Sequence, residues 1–95
     1  MNNNQNSLEY IIQQGAFLVD VREPSELFDG SVKGAVNIPL GSVENNIEQF
    51  KNKENIVVFC RSGNRSGQAK MILNHYGINN VINGGTWQDV SQFVK

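Results

Sequence analysis

The chain has 95 residues, 39% of them hydrophobic, with 8 basic and 9 acidic side chains and a formal charge of −1. That suffices for one compact domain burying roughly 60 to 70% of its unfolded surface and leaves no room for a second. Scattered basic residues argue against nucleic acid or an anionic membrane as a partner, and no apolar run approaches bilayer-spanning length.

The opening Met1-Asn2-Asn3-Asn4-Gln5-Asn6 is polar and lacks a charged region followed by an apolar one, so it reads as a flexible segment, 1–6, ahead of a folded domain, 7–95. The expectation is a soluble, unsecreted, cytoplasmic chain; a mature periplasmic chain stripped of its leader would read the same. Asn6 and Glu9 stand at capping-box spacing before Leu8-Glu9-Tyr10-Ile11-Ile12, and Gly15 stops this first helix. Phe17-Leu18-Val19-Asp20-Val21 has the length and composition of a strand, and Pro24 opens a helical turn, Ser25-Glu26-Leu27-Phe28, closed by Asp29-Gly30.

Gly34-Ala35-Val36-Asn37-Ile38-Pro39 predicts a short strand ended by proline. Ser42 is placed to cap a helix carrying Val43, Ile47 and Phe50 on one face. Ile56-Val57-Val58-Phe59 predicts a buried strand, and from Arg65 the spacing of Ala69, Ile72, Leu73 and Tyr76 predicts a helix stopping at Gly77. Val81-Ile82 reads as a last short strand, Gly84-Gly85 as a turn, and Trp87, Val90, Phe93 and Val94 as the apolar side of a terminal helix. Strands alternating with helices at this spacing predict an α/β domain with right-handed crossovers, a mostly parallel sheet of four to five short strands, and ligands beyond the carboxyl ends of the strands.

Cys60, the only cysteine, stands at such an end and opens Cys60-Arg61-Ser62-Gly63-Asn64-Arg65-Ser66, which leads into a helix. A thiol facing a helix N-terminus, free backbone N–H groups and two arginines is held in surroundings that favour its thiolate. An inert thiol at a strand end is the alternative reading. A single cysteine excludes an internal disulfide and a thiolate zinc cluster, and leaves no internal thiol to resolve anything formed on the sulfur.

Four pieces in order, Leu18-Val19-Asp20-Val21-Arg22-Glu23, Gly34-Ala35-Val36-Asn37-Ile38-Pro39, Val58-Phe59-Cys60-Arg61-Ser62-Gly63-Asn64-Arg65-Ser66, and Asn83-Gly84-Gly85 with Trp87, carry a resemblance. From Phe17 to Trp87 the chain resembles a single-domain rhodanese of the thiosulfate sulfurtransferase type. The resemblance implies that Cys60 attacks the outer sulfur of a donor such as thiosulfate, holds it as a persulfide, and yields it to cyanide or a thiol, with ping-pong kinetics. It implies no cofactor and no metal, and small-molecule or protein persulfide partners. The backbone from Arg61 to Ser66 would cradle the anionic sulfur, with Gly63 permitting the curl and Arg61 and Arg65 attracting a dianionic donor. Two departures stand out: Gly30-Ser31-Val32 replaces a common Gly-His-Ile, and Ser62 sits where some efficient thiosulfate users have lysine.

Arg65 follows Cys60 after four residues, Arg61 to Asn64, whereas a tyrosine-phosphatase cradle has five; the smaller ring suits one sulfur better than a phosphoryl group. A persulfide relay and a phosphatase or arsenate reductase are the rival functions. Asp20 and Arg22 are expected to support the loop by hydrogen bonds, with Arg22 facing the substrate as the alternative, and Arg65 either faces the donor or points back to Asp20 or Glu23. Trp87 is expected as core or pocket wall. His75 lies roughly 15 Å along a helix from the thiol at 1.5 Å per residue and is read as a surface or capping residue.

Overall fold

A computed structural model describes residues 4–95, with side chains from Leu8 onward. Its centre is β3, Ile56–Cys60, an unbroken apolar run with every residue buried because it has a strand on each side and helices on both faces. The neighbours are β1, Phe17–Asp20, on one side and β4, Val81–Thr86, on the other, with the two-residue β2, Val36–Asn37, at the edge. All pairings are parallel: Val19 lies opposite both Val36 and Val58, and Ile56 opposite Val81.

Alternation along β3 divides the core. Val58 and Cys60 face the layer that holds α2, Asn64–His75, whose Ala69 and Leu73 pack with Val43 and Phe50. Val57 and Phe59 face the layer of α1, Asn4–Gln13, and α3, Trp87–Phe93, which contributes Val90 and Trp87. Gly77, at φ 86°, ends the α2 turn as its position suggests, and Thr86 accepts the Asp89 N–H to cap α3.

Several local readings need correction. Helix α1 starts at Asn4, two residues before the expected cap; Met1, Asn2 and Asn3, and the side chain of Asn6, lie outside the described residues. Ser42 caps no helix: it ends a 3-10 turn, Leu40–Ser42, and its carbonyl accepts from Asn46 Nδ2 at 2.7 Å. The segment expected as its helix is two 3-10 pieces within Glu44–Phe50, joined at Asn46, which has a non-helical backbone; Val43 and Phe50 are nevertheless buried. Gly84-Gly85 is no turn but the middle of β4, where Gly84 is an extra residue between the pairs Val58–Asn83 and Phe59–Gly85.

The turn after β1 is held by charge. Asp20 and Arg22, both buried, pair at 2.7 Å, and Arg22 also donates to the carbonyls of Glu26 and Gly30. These bonds fix the 3-10 helix Pro24–Asp29, from which Glu26 reaches across to Arg65 of α2 at 2.7 and 2.8 Å. The Arg65 guanidinium, and then the Glu23 N–H, lower the Glu26 pKa from the usual 4.5 to about 2.

A depressed carboxylate pKa stabilises the fold above its unfolded value and loses that contribution as pH falls through the folded value. Stability should therefore decline between pH 4.5 and about 2. Glu26→Gln should flatten that decline, read from urea midpoints across the range. Gly84→Ala should destabilise by about 1–3 kcal/mol through overpacking in a denaturant melt, since its Cβ would stand 2.8 Å from both Val57 Cγ1 and Val90 Cγ2.

Candidate active site

Beyond Cys60 the chain must leave the sheet and enter α2 within three residues. Gly63 makes the reversal at φ 94°, in the left-handed region, immediately before Asn64 begins the helix. The curl turns the Gly63 N–H back onto Cys60 Sγ at 3.0 Å, while the Ser66 hydroxyl, in the first turn of α2, approaches the same sulfur at 3.5 Å. Cys60 is wholly buried, and burial is the largest influence on its thiol, pushing the pKa up. The Ser66 hydroxyl and the amides of Ser66, Ser62 and Gly63 together outweigh it and bring the pKa to about 7. Near neutral pH roughly half of such thiols are thiolate.

The cradle is braced from β4. Asn83 Nδ2 donates to the Gly63 carbonyl at 3.0 Å, and its Oδ1 accepts from the Ser66 hydroxyl at 2.7 Å and from the Gly85 N–H at 3.0 Å. Gly85 has φ 85°, and its Cα would lie 3.4 Å from a Cβ added at Gly63, so backbone approaches backbone closely. Asn83 was not among the residues singled out for the site. Its place before Gly84-Gly85, in a segment read as a turn, concealed that its side chain points to α2.

The two loop arginines part company. Arg65 is committed to Glu26, not to Asp20 or Glu23 as its alternatives had it. Arg61 is exposed and makes no salt bridge among the described residues, which leaves its charge at the mouth of the loop. Ser62 is exposed too, its hydroxyl accepting from the Asn64 N–H at 3.4 Å.

Asp20 and Arg22 do not hydrogen-bond the loop itself, as had been expected of them. Asp20 is engaged by the Arg22 amide and guanidinium, and the pair acts one step removed, through Glu26 and its hold on Arg65. Trp87 is half-buried beside Thr86, the residue opposite Cys60; its ring lies 5.0 Å from the Arg22 guanidinium carbon and against Gly30. His75 is exposed in the last turn of α2, edge-on to Tyr76 and far from the thiol. Among the described residues no group of three His, Cys, Asp or Glu side chains is arranged to hold a metal.

A model of the rhodanese-like domain matches residues 4–88. Thiosulfate sulfurtransferase PspE of Escherichia coli is 39% identical over 75 residues, covering 77% of this chain and 72% of that protein. The chain spans a little less than two thirds, 65%, of a mitochondrial relative from Schizosaccharomyces pombe, which is 36% identical over 92 residues and matches 82% of this chain. A solved rhodanese with anions from E. coli superposes with a TM-score of 0.72 at 37% identity, covering 81% of this chain and 93% of the other. The human single-domain sulfurtransferase TSTD1 superposes with a TM-score of 0.73 at 25% identity, covering 88% of each. A buried cysteine curled under its own loop amide thus sits in a chain whose sequence and backbone both match the same group, and the chain belongs to the rhodanese-like domain family.

Proposed function

We propose that this chain is a sulfurtransferase that carries sulfane sulfur on Cys60. The observation behind this reading is the sulfur itself: a thiol with a pKa of about 7, set beneath a loop whose N–H groups turn inward. The thiolate attacks the outer sulfur of a donor such as thiosulfate, forming a new S–S bond. The donor's own S–S bond breaks and its electron pair leaves with sulfite. The persulfide on Cys60 remains anionic, and the amides from Arg61 to Ser66 are the donors available to it. A thiolate or cyanide then attacks the terminal sulfur, takes it, and returns Cys60 to thiolate. No second cysteine exists in this chain to take the sulfur internally, so the acceptor is another molecule.

Arg61 is the side chain proposed to draw in an anionic donor. Arg65 serves instead as a brace, because its charge is already matched by Glu26. The related E. coli rhodanese solved with anions supports an anion-receiving site in this fold. The four-residue interval from Cys60 to Arg65 favours a single sulfur over a tetrahedral phosphoryl group.

A second reading, a relay fed by a protein persulfide, is favoured by Ser62. It is exposed and uncharged, so Arg61 faces the mouth without a neighbouring cation in the loop. Activity with a protein persulfide and none with thiosulfate would select the relay.

Incubation with thiosulfate should add one sulfur atom to the intact mass, released by cyanide or dithiothreitol and absent from Cys60→Ser. An unchanged mass with both thiosulfate and a persulfide donor would refute sulfur transfer. Arg61→Ala should raise the KM for thiosulfate about fivefold with little change in kcat, as for one exposed ion pair, in a steady-state thiocyanate assay.

A further inference from the structure

Ser66 is wholly buried, and its hydroxyl has two polar neighbours: Cys60 Sγ at 3.5 Å and Asn83 Oδ1 at 2.7 Å. A hydroxyl carries one proton, so it cannot donate to both. The orientation of Asn83 is not free to change. Its Nδ2 donates to the Gly63 carbonyl and its Oδ1 accepts from the Gly85 N–H; a reversed amide would set oxygen against oxygen and N–H against N–H. Oδ1 therefore faces Ser66 as an acceptor, and at 2.7 Å it takes the Ser66 proton. The Ser66 oxygen then offers the sulfur a lone pair, which suits a thiol that donates. A thiolate can only accept, so on ionisation the Ser66 proton must rotate toward sulfur, while Asn83 Oδ1 keeps the Gly85 N–H.

We propose that Ser66 and Asn83 form a proton switch beneath Cys60, with the Ser66 hydroxyl donating to Asn83 while Cys60 is a thiol and to sulfur once it is charged. Asn83 is a positioning residue: it touches no reacting atom, and it competes with the sulfur for one proton. The use of the thiolate rests on the sulfur-transfer reading above, but the switch stands on the hydrogen bonds alone.

Other charges near the thiol are accounted for. On α2, Arg65 is paired with Glu26 of the 3-10 helix; in the loop, Arg61 is exposed; beside β1, Asp20 and Arg22 pair with each other; and the β4 segment Val81–Thr86 has no titratable side chain. Among the described residues, the Gly63 N–H and the Ser66 hydroxyl make the direct hydrogen-bond contacts to Sγ, and the Ser62 and Ser66 amides also favour its charged form.

The test is the pH profile of Cys60 alkylation by iodoacetamide in the full chain, which needs no sulfur donor and so is independent of whether sulfur is transferred. Ser66→Ala should slow alkylation at pH 7 about fivefold by removing a hydrogen bond to the charged sulfur. Asn83→Ala should move the midpoint of the profile to lower pH, and should move it less in the Ser66→Ala background, where only its brace on the Gly63 carbonyl is lost. Asn83→Ser is the second variant if Asn83→Ala does not fold. An unmoved profile in Ser66→Ala, or an equal Asn83 effect in both backgrounds, would overturn the switch; the latter would assign Asn83 to loop shape alone.

Discussion

A sulfur atom with no exposed surface has to be given its charge partners by the fold, and here the Gly63 N–H on Cys60 sets that requirement. The contact exists only if the loop curls at a left-handed residue, and a Cβ at that residue, Gly63, would stand 3.4 Å from the Gly85 Cα of β4. Gly63 is thus constrained by the loop and its neighbour Gly85, whereas Gly84 answers to Val57 and Val90 on the other face of the sheet. Burial alone would keep the thiol protonated. The inward-turned amides and the Ser66 hydroxyl reverse that preference without any formal charge touching the sulfur.

Formal charge is used for a different purpose. The Asp20–Arg22 pair is buried at the end of β1, where leaving either ion unmatched would be costly, and its spare guanidinium donors tie down the backbone of the following 3-10 helix. That helix offers Glu26, and Glu26 holds the first turn of α2 through both Arg65 nitrogens. The loop is therefore clamped from two directions: by ions from the β1 side and by a neutral amide from the β4 side. Arg61 lies outside both clamps, exposed and with no salt bridge among the described residues.

Much of this was legible in the residues. An apolar run ending in Cys60, a loop with a glycine at its curl and a helical pattern beyond it specify a strand, a cradle and a helix through local chemistry, and all three are present. The misreadings share a cause. Gly84-Gly85 has turn composition, but tertiary packing between Val57 and Val90 leaves no room for anything larger than glycine in a strand. Ser42 has the character of a cap, yet Pro39 and the burial of Val43 and Phe50 shape that stretch into short 3-10 turns. The partner of Arg65 lies 39 residues away, across an interval no local pattern spans, and Asn83 is visible as a brace only when β4 stands beside the loop.

The extra residue in β4 carries a consequence for how the strand is phased. Asn83 opposes Val58 and Thr86 opposes Cys60, so two positions of opposite parity are brought to equivalent pairings, and the strand changes phase at Gly84. Before the slip the strand serves the α2 layer through Asn83; after it, Trp87 is delivered to the α3 layer, against Gly30 and Arg22. Alternation already sends Val81 to one face and Ile82 to the other; the half-period shift at Gly84 sets which face receives each strand residue after it. This makes the length of the segment, and not only its composition, a condition for assembling the site: deleting Gly84 would turn the two strand residues after it, Gly85 and Thr86, to the opposite face and redirect the entry into α3.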